Sequence, residues 1–166
     1  MVPTRVMAIS TDLAEAVREM QKDPHYKFPA YADISKGDAP CRHCLKIIPA
    51  GEQALLFTYD AFEGVEKLPL PGPVYIHAWS CERYPEDAGF PAELKNSPRT
   101  LNAYATGRKL LAQEYVGNGT VDSAIEKLFE RSDVHYIHVR STTVGCYTFR
   151  IERQDQPENT LAQGTK

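Results

Sequence analysis

The clearest pattern of apolar and polar residues predicts a helix in the second half of the chain. Between Thr120 and Arg131, apolar residues recur at intervals of three and four positions, which places them along one side of a helix that packs on a core. Thr120 or Asp122 supplies a side chain suited to cap its start. A shorter helix is predicted from Asp12, because Glu15 follows three residues later and apolar residues continue at helical spacing.

Runs of strand-forming residues predict antiparallel strands elsewhere. Residues 5–9 form one short run. Two longer runs, 53–59 and 74–79, are separated by a segment rich in proline and glycine, so an antiparallel pair with a long connection is the simplest interpretation. Residues 134–153 predict two further strands around a turn near residues 141–145.

Two segments show no clear pattern. Residues 22–40 contain several prolines and a glycine, and they are predicted to be irregular, with aromatic side chains partly packed. Residues 101–116 contain adjacent leucines that favour a helix, whereas Tyr104, Thr106 and Gly107 fit a strand and a turn. Helix and strand both remain open for this segment.

These elements predict the fold class. No internal repeat or linker divides the chain, so residues 1–153 are predicted to form a single α+β domain. This small mixed domain has antiparallel strands, a C-terminal β-hairpin and two or three helices. Residues 154–166 are polar and are predicted to form a C-terminal tail.

Composition and charge narrow the possible functions. A chain of 166 residues can bury a core without depending on a metal or disulfides, and a hydrophobic content of 42% is typical of globular proteins. A net charge of -3 attracts a nucleic-acid backbone little. The chain does not open with a basic and then apolar segment, and it has no run of about 18 apolar residues. We therefore expect a cytoplasmic protein without a membrane partner.

The cysteines and histidines carry the most specific signal. In a reducing compartment, closely spaced cysteines indicate metal binding or catalysis rather than disulfides. Cys41 and Cys44 form a C-x2-C pair, and His77 and Cys81 follow as an H-x3-C pair. Continued as a strand, residues 77 and 81 share a face, and a helical turn also brings them together. Three thiolates and an imidazole suit zinc, and four protein ligands leave no position for water, so we predict a structural zinc knuckle.

Other interpretations of these residues stay open. Buried cysteines often act as small apolar residues, His77 can be a hydrogen-bonded histidine of a sheet, and a C-x2-C pair can be redox-active. His43 lies between the cysteines and is expected to be exposed rather than a ligand. The order of ligands resembles treble-clef zinc fingers, including those of the poly-ADP-ribose polymerase type, although the H-x3-C spacing is one residue longer here.

The C-terminal hairpin offers a second candidate site. Strand alternation places His138, Arg140, Cys146 and Arg150 on one face, with His138 opposite Cys146 or Thr148. With residues 22–40 as a lid, this face would bind an anionic small molecule through its guanidinium groups and lower the pKa of the thiol. The alternative is the solvated outer surface of a half-buried sheet.

Several stretches together resemble one known family. The chain is similar to the bacterial family catalogued as domain of unknown function 1203, and the resemblance covers roughly residues 38–153. The matching residues are Pro40-Cys41-Arg42 with Leu45, Gly51-Glu52, the run 54–59, Gly72-Pro73-Val74-Tyr75-Ile76-His77-Ala78, Tyr136-Ile137-His138-Val139-Arg140 and Gly145-Cys146. The resemblance implies a compact bacterial cytosolic domain and brings no established activity.

Three functions are compatible with these features. A zinc-stabilised binding or accessory module is favoured, because the ligand set is closed and no catalytic spacing is recognised. A small enzyme that acts on an anionic substrate through His138, Arg140 and Cys146 is the main alternative. Nucleic-acid binding is disfavoured, because Arg42 and Lys46 add little basic charge to an acidic chain. The sequence leaves the choice between an enzyme and a binding module open, and it identifies no protein partner.

Overall fold

Two antiparallel sheets and two α-helices make up the fold. A computed structural model describes residues 2–155, so the predicted tail 154–166 lies, apart from its first two residues, outside the described residues. In chain order the elements are β1 (Thr4–Met7), α1 (Thr11–Met20), β2 (Tyr31–Ile34), β3 (Gln53–Asp60), β4 (Pro71–His77), a 3₁₀ turn (Ala92–Leu94), β5 (Arg99–Tyr104), β6 (Leu110–Val116), α2 (Val121–Phe129), β7 (Tyr136–Ser141) and β8 (Tyr147–Arg153).

The strands are divided between a large and a small sheet. The five-stranded sheet has the order β1-β8-β7-β5-β6, and the three-stranded sheet has the order β2-β3-β4. All pairs are antiparallel. The predicted pairing of β3 with β4 is confirmed, and so is the C-terminal hairpin of β7 and β8. The structure therefore confirms a small mixed domain of antiparallel sheets and helices.

The two helices serve different cores. Helix α2 buries its apolar side, including Ile125 and Leu128, against the five-stranded sheet, as its spacing predicts. Helix α1 buries Ala14 and Val17 in a second core with the three-stranded sheet. It starts one residue before the predicted Asp12, because the hydroxyl of Ser10 accepts a hydrogen bond from the Leu13 amide at 3.1 Å and caps the helix. Neither helix of the described residues is long and apolar enough to cross a membrane.

The structure corrects two secondary-structure predictions and decides a third that was left open. Residues 22–40 are not wholly irregular, since β2 forms there at the edge of the small sheet with every residue exposed. Residues 101–116 fold as two strands, so the strand interpretation is the right one. Strand β4 ends at His77 rather than at residue 79.

The hairpin of β7 and β8 has an unexpected register. His138 pairs with Arg150, rather than with Cys146 or Thr148 as alternation predicts. A β-bulge shifts the pairing between Val139 and Arg140, so that Arg140 pairs with Tyr147. One extra residue in a strand interrupts the alternation of faces. Tyr147 therefore packs on the His138 ring, 4.9 Å between centroids, although its odd number assigned it to the other face.

Candidate metal centre

The first two candidate ligands, Cys41 and Cys44, lie in a tight loop of residues 39–48, which we call the cysteine loop. Pro40 and Ile47 form an antiparallel bridge that closes this loop, and within it the Cys41 amide donates to the Lys46 carbonyl at 2.9 Å. The Leu45 amide donates to the Cys41 carbonyl at 2.8 Å, with Leu45 in the left-handed region at φ 57°. This backbone turns sharply enough to direct both cysteine side chains to the same side.

The other two ligands come from the end of β4 and the segment that follows. His77 is the last residue of the strand, and an irregular segment returns Cys81 to it. The predicted continuation as a strand or helical turn is therefore wrong, but the predicted proximity is confirmed. The ligand atoms of Cys41, Cys44, His77 and Cys81 all lie within 4.8 Å of one another, so these residues can hold a metal ion.

The distances inside this cluster match a tetrahedral site. Zinc bonds of about 2.3 Å to sulfur and about 2.0–2.1 Å to nitrogen place two sulfurs about 3.8 Å apart, and a sulfur and a nitrogen about 3.6 Å apart. The Sγ atoms of Cys41 and Cys81 are 3.8 Å apart. The Sγ of Cys44 lies 3.5 Å from the Nδ1 of His77. These separations leave room for one ion at the centre.

A shell of polar groups surrounds the ligands. Arg18 of α1 donates from Nη2 to the Cys81 sulfur at 3.3 Å and from Nε to the His77 carbonyl at 3.0 Å. His43 is fully buried, which corrects the expectation that it is exposed. Its Nδ1 lies 3.1 Å from the Cys81 sulfur, and its Nε2 lies 2.9 Å from the Thr11 hydroxyl. Neither Arg18 nor His43 was predicted to take part in the site.

The thiols are electrostatically coupled. Hydrogen bonds from Cys44 and Cys81 stabilise a thiolate at Cys41 and lower its pKa. The same hydrogen bonds, together with burial, raise the pKa of the Cys44 and Cys81 thiols. A divalent cation would allow all three thiols to ionise, because it supplies the opposing charge.

His138, from the second predicted site, is enclosed in the protein interior. Its ring packs against the rings of Phe62, Tyr104, Tyr136 and Tyr147 at centroid distances of 4.6–5.2 Å. Among the described residues, neither ring nitrogen has a hydrogen-bond partner. Burial, with Arg150 and Arg140 nearby, lowers the pKa of His138 well below its usual value. The ring is therefore neutral near pH 7.

The remaining residues of the predicted face are dispersed. Arg150 donates to Glu152 at 2.6 Å, and that carboxylate also accepts from Arg5 at 3.2 Å. Arg140 donates to the Gly145 carbonyl, and with Cys146 it lines a cavity of about 390 Å³. The cover over His138 is Phe62, from the turn after β3, rather than residues 22–40. Anion binding by these four predicted residues stays a prediction.

Comparison with known families identifies the chain. The model of one family, described as protein of unknown function (DUF1203), matches residues 38–153. The chain belongs to this family. The resemblance inferred from the sequence is thus confirmed over the same residues. No curated protein and no solved structure matches the chain.

The DUF1203 segment also borders a larger cavity that was not predicted. This cavity of about 810 Å³ lies between the small sheet, the cysteine loop and the β7–β8 turn. Arg42 and Arg99 line it, and they are 4% and 5% exposed. Burial lowers the pKa of Arg42 to about 10, and the like charge of Arg99 contributes, yet the group stays protonated at neutral pH. No spacing in the sequence relates these two arginines.

Proposed function

We propose that this DUF1203 chain is a zinc-binding domain in which Cys41, Cys44, His77 and Cys81 hold one structural Zn²⁺. The observation that carries the proposal is the distance match. The sulfur–sulfur distance of 3.8 Å and the sulfur–nitrogen distance of 3.5 Å agree with a tetrahedral ion bound by three thiolates and one imidazole.

The ligand chemistry favours zinc over other divalent ions. Thiolate and imidazole are ligands that zinc prefers, whereas magnesium and calcium require oxygen. His77 presents Nδ1 to the cluster, and its Nε2 lies 3.9 Å from the Glu52 carboxylate. An acidic neighbour at the second ring nitrogen is a common way to orient a metal-bound histidine. At 3.9 Å Glu52 is too far to hydrogen-bond the ring, so its contribution is the negative charge beside Nε2.

A structural role follows from the closed ligand set and from what the ligands connect. Four protein ligands leave no coordination position for water or substrate. They join the cysteine loop to the end of β4, and Cys41 and Cys44 belong to the core that contains α1 and the small sheet. Three thiolates and one Zn²⁺ carry a net charge of about -1. The guanidinium of Arg18 at 3.3 Å from Cys81 opposes that charge.

This proposal also implies a compartment. Three thiolates must stay reduced to bind the ion, and cytosolic reductants keep thiols in that state. We therefore place the domain in the bacterial cytoplasm. Within the cell it would act as a stable accessory or binding module rather than through chemistry at the metal.

Metal analysis tests the proposal directly. Protein purified without chelator is expected to carry about one zinc per chain. Cys44→Ser should lose most of that zinc and melt at a temperature lower by roughly 6–12 °C, since a loss of about 3 kcal/mol shifts a domain of this size that far. Cys146→Ser is the matched control, because Cys146 is a free cysteine outside the cluster.

Two results would contradict the proposal. Wild-type protein with four titratable thiols and no bound metal would remove the zinc site itself. A cobalt-substituted protein whose visible spectrum changes on adding cyanide or azide would show an open coordination position, and the structural role would then be wrong. Equal melting temperatures for Cys44→Ser and Cys146→Ser would also argue against that role.

A further inference from the structure

The larger cavity contains two arginines in an unusual environment. Arginine is almost never fully buried unless an opposite charge accompanies it, because removing its charge from water is costly. Arg42 and Arg99 are 4% and 5% exposed. Among residues 2–155, neither forms an ion pair with a carboxylate. Two positive charges therefore line one cavity without a carboxylate counter-ion from the described residues.

Each guanidinium is held by neutral oxygens. Arg42 donates from Nε to the Tyr147 carbonyl at 2.9 Å and from Nη1 to the Pro40 carbonyl at 2.7 Å. These bonds fix the plane of the group, while Nη2 has no hydrogen-bond partner within the described part of the chain. Nη2 is therefore the donor nitrogen of Arg42 that no described residue engages.

Arg99 shows the same arrangement. It donates from Nη2 to the Ser97 hydroxyl at 2.7 Å and from Nε to the Leu94 carbonyl at 3.4 Å. Its Nη1 has no hydrogen-bond partner in the region described. Both side chains are thus positioned by the fold, with one donor nitrogen each left for a ligand.

Thr148 adds a buried polar side chain to the wall of the same cavity. Thr148 lines the cavity and is 1% exposed, and its hydroxyl is a buried group without a partner among the described residues. The β-bulge in the hairpin makes Thr148 the extra residue of β8. Because the hydroxyl itself is enclosed, Thr148 forms part of the cavity wall and does not offer a donor to a ligand. Cys146 lies beside it at the cavity wall.

We propose that this cavity binds a small organic anion, with its carboxylate or phosphate group held by Arg42 and Arg99. Guanidinium groups suit oxyanions because they donate several directed hydrogen bonds as well as charge. A volume of about 810 Å³ exceeds the need of an inorganic ion and falls in the range of small-molecule sites.

The other residues that line the cavity indicate what the rest of the ligand is like. Ile47, Leu56 and Pro73 supply apolar surface opposite the arginines. The acidic residues that line the cavity, Asp33, Asp38 and Glu93, are all exposed, as is Lys36. Exposed charges are screened by water and salt, whereas buried ones are not, so the two arginines dominate the interior. The favoured ligand has an apolar or aromatic body attached to the anionic group.

Titration of zinc-loaded, full-length protein with phenyl phosphate and with benzoate tests the proposal, using NMR shifts to follow binding. Benzamide is the neutral control. At least one anion should bind saturably and more weakly as salt rises, and Arg99→Met should weaken it by about 10-fold or more. Preference for phenyl phosphate or for benzoate identifies the anionic group. Arg140→Met is the matched control, because Arg140 borders only the smaller cavity.

Cys146 gives a second readout within the same cavity. Iodoacetate carries a carboxylate, so the arginines should concentrate it and accelerate alkylation of Cys146 relative to neutral iodoacetamide, as mapped by mass spectrometry. Phenyl phosphate should suppress that preference. If Arg99→Met does not fold, Arg99→Lys keeps the charge and should still weaken binding several-fold, because the planar donor group is lost.

The outcomes separate clearly. Absence of saturable binding for both anions, together with equal alkylation by the two reagents, overturns the proposal. Binding that survives Arg99→Met but is lost in Arg140→Met also overturns it, and would move the anion to the hairpin face predicted from the sequence.

Discussion

Two of the buried histidines, His77 and His138, have surroundings that shift their pKa in opposite directions. His77 lies 3.5 Å from one thiol and 3.9 Å from a carboxylate, and hydrogen bonding to Cys41 raises its pKa. His138 is enclosed by aromatic rings without a hydrogen bond from the described residues, and burial lowers its pKa. The same residue type is therefore part of a polar cluster in one place and of apolar packing in the other.

The difference shows that neighbours, rather than the residue itself, determine the chemistry. Around His77, polar atoms converge at the distances of a metal site. Around His138, the polar atoms carry a desolvation penalty that nothing in the described structure offsets. A histidine on a candidate face is thus only as informative as the partners that the fold brings to it.

Metal removal should have the largest effect on hydrogen-exchange protection. It should affect the surroundings of His77 strongly and those of His138 little. Treating the protein with a chelator should lower hydrogen-exchange protection of the Leu45 and Ile48 amides by about 100-fold or more, because their bonds belong to the cysteine loop. Amides of β7 and β8 should change by less than about 10-fold. Exchange measured by mass spectrometry on both forms checks this.

The zinc-loaded protein is the control for that comparison. Uniform loss of protection in both regions would show that the metal supports the whole fold rather than one core. Unchanged protection of the cysteine loop would contradict the structural role proposed for zinc.

Arg18→Met should have an intermediate effect, which is confined to the zinc affinity of the cysteine and histidine cluster. The substitution keeps the apolar stem but removes the donors to Cys81 and His77. Substituting a residue that hydrogen-bonds to metal ligands typically weakens metal affinity by about 10-fold to 100-fold. We expect about 10-fold weaker zinc binding here. Competition with a chelator of known affinity measures it. Glu19→Gln on the exposed side of α1 is the control, and equal affinity in both variants would exclude a role for Arg18.

The smallest effect on the free energy of unfolding is expected for a substitution of His138. Most core substitutions destabilise a protein, whereas this one should not. His138→Phe removes buried nitrogens that lack partners, so stability at pH 7.5 should be unchanged or higher by about 1 kcal/mol. The folded-state pKa of His138 lies below its unfolded value of about 6.5. Protons therefore favour the unfolded state, and this contribution to stability is complete above pH ~6.5 and is lost as pH falls.

Urea unfolding at several pH values tests this sign. Wild-type stability should fall below pH ~6.5 more steeply than that of His138→Phe, by up to about 1.4 kcal/mol per pH unit. Because the zinc ligands are present in both proteins, their titration cancels in the difference. His25→Gln changes an exposed histidine and should keep the wild-type dependence. Parallel curves for wild type and His138→Phe would contradict the assignment.

The parts of the molecule that the sequence predicted well depend on short-range pattern. The helix α2, the β3–β4 pair and the four metal ligands each follow from residues within a few positions, or from two local pairs. Strand β2 was missed because all of its residues are exposed, so no alternation marks it. Residues 101–116 were ambiguous because β6 is an edge strand with few buried residues.

The parts that could not be predicted depend on contacts between distant segments. One bulge changed which residues face His138, and a phenylalanine from the turn after β3 covers it. Arg42 was considered only for nucleic-acid binding, and Arg99 was not considered. These two arginines line one cavity because the fold brings distant segments together, and no spacing in the chain relates them.

The pairing of the first strand with the last affects the order in which the protein can fold on the ribosome. Thr4 pairs with Arg153, and the Gln154 amide donates to the Pro3 carbonyl at 3.0 Å. During translation, β1 must wait roughly ten seconds or more for its partner to be synthesised. The cysteine loop, β2, β3, β4 and Cys81 emerge well before that. The half that contains the four candidate metal ligands can therefore assemble first, while β1 remains an unpaired strand that chaperones can recognise.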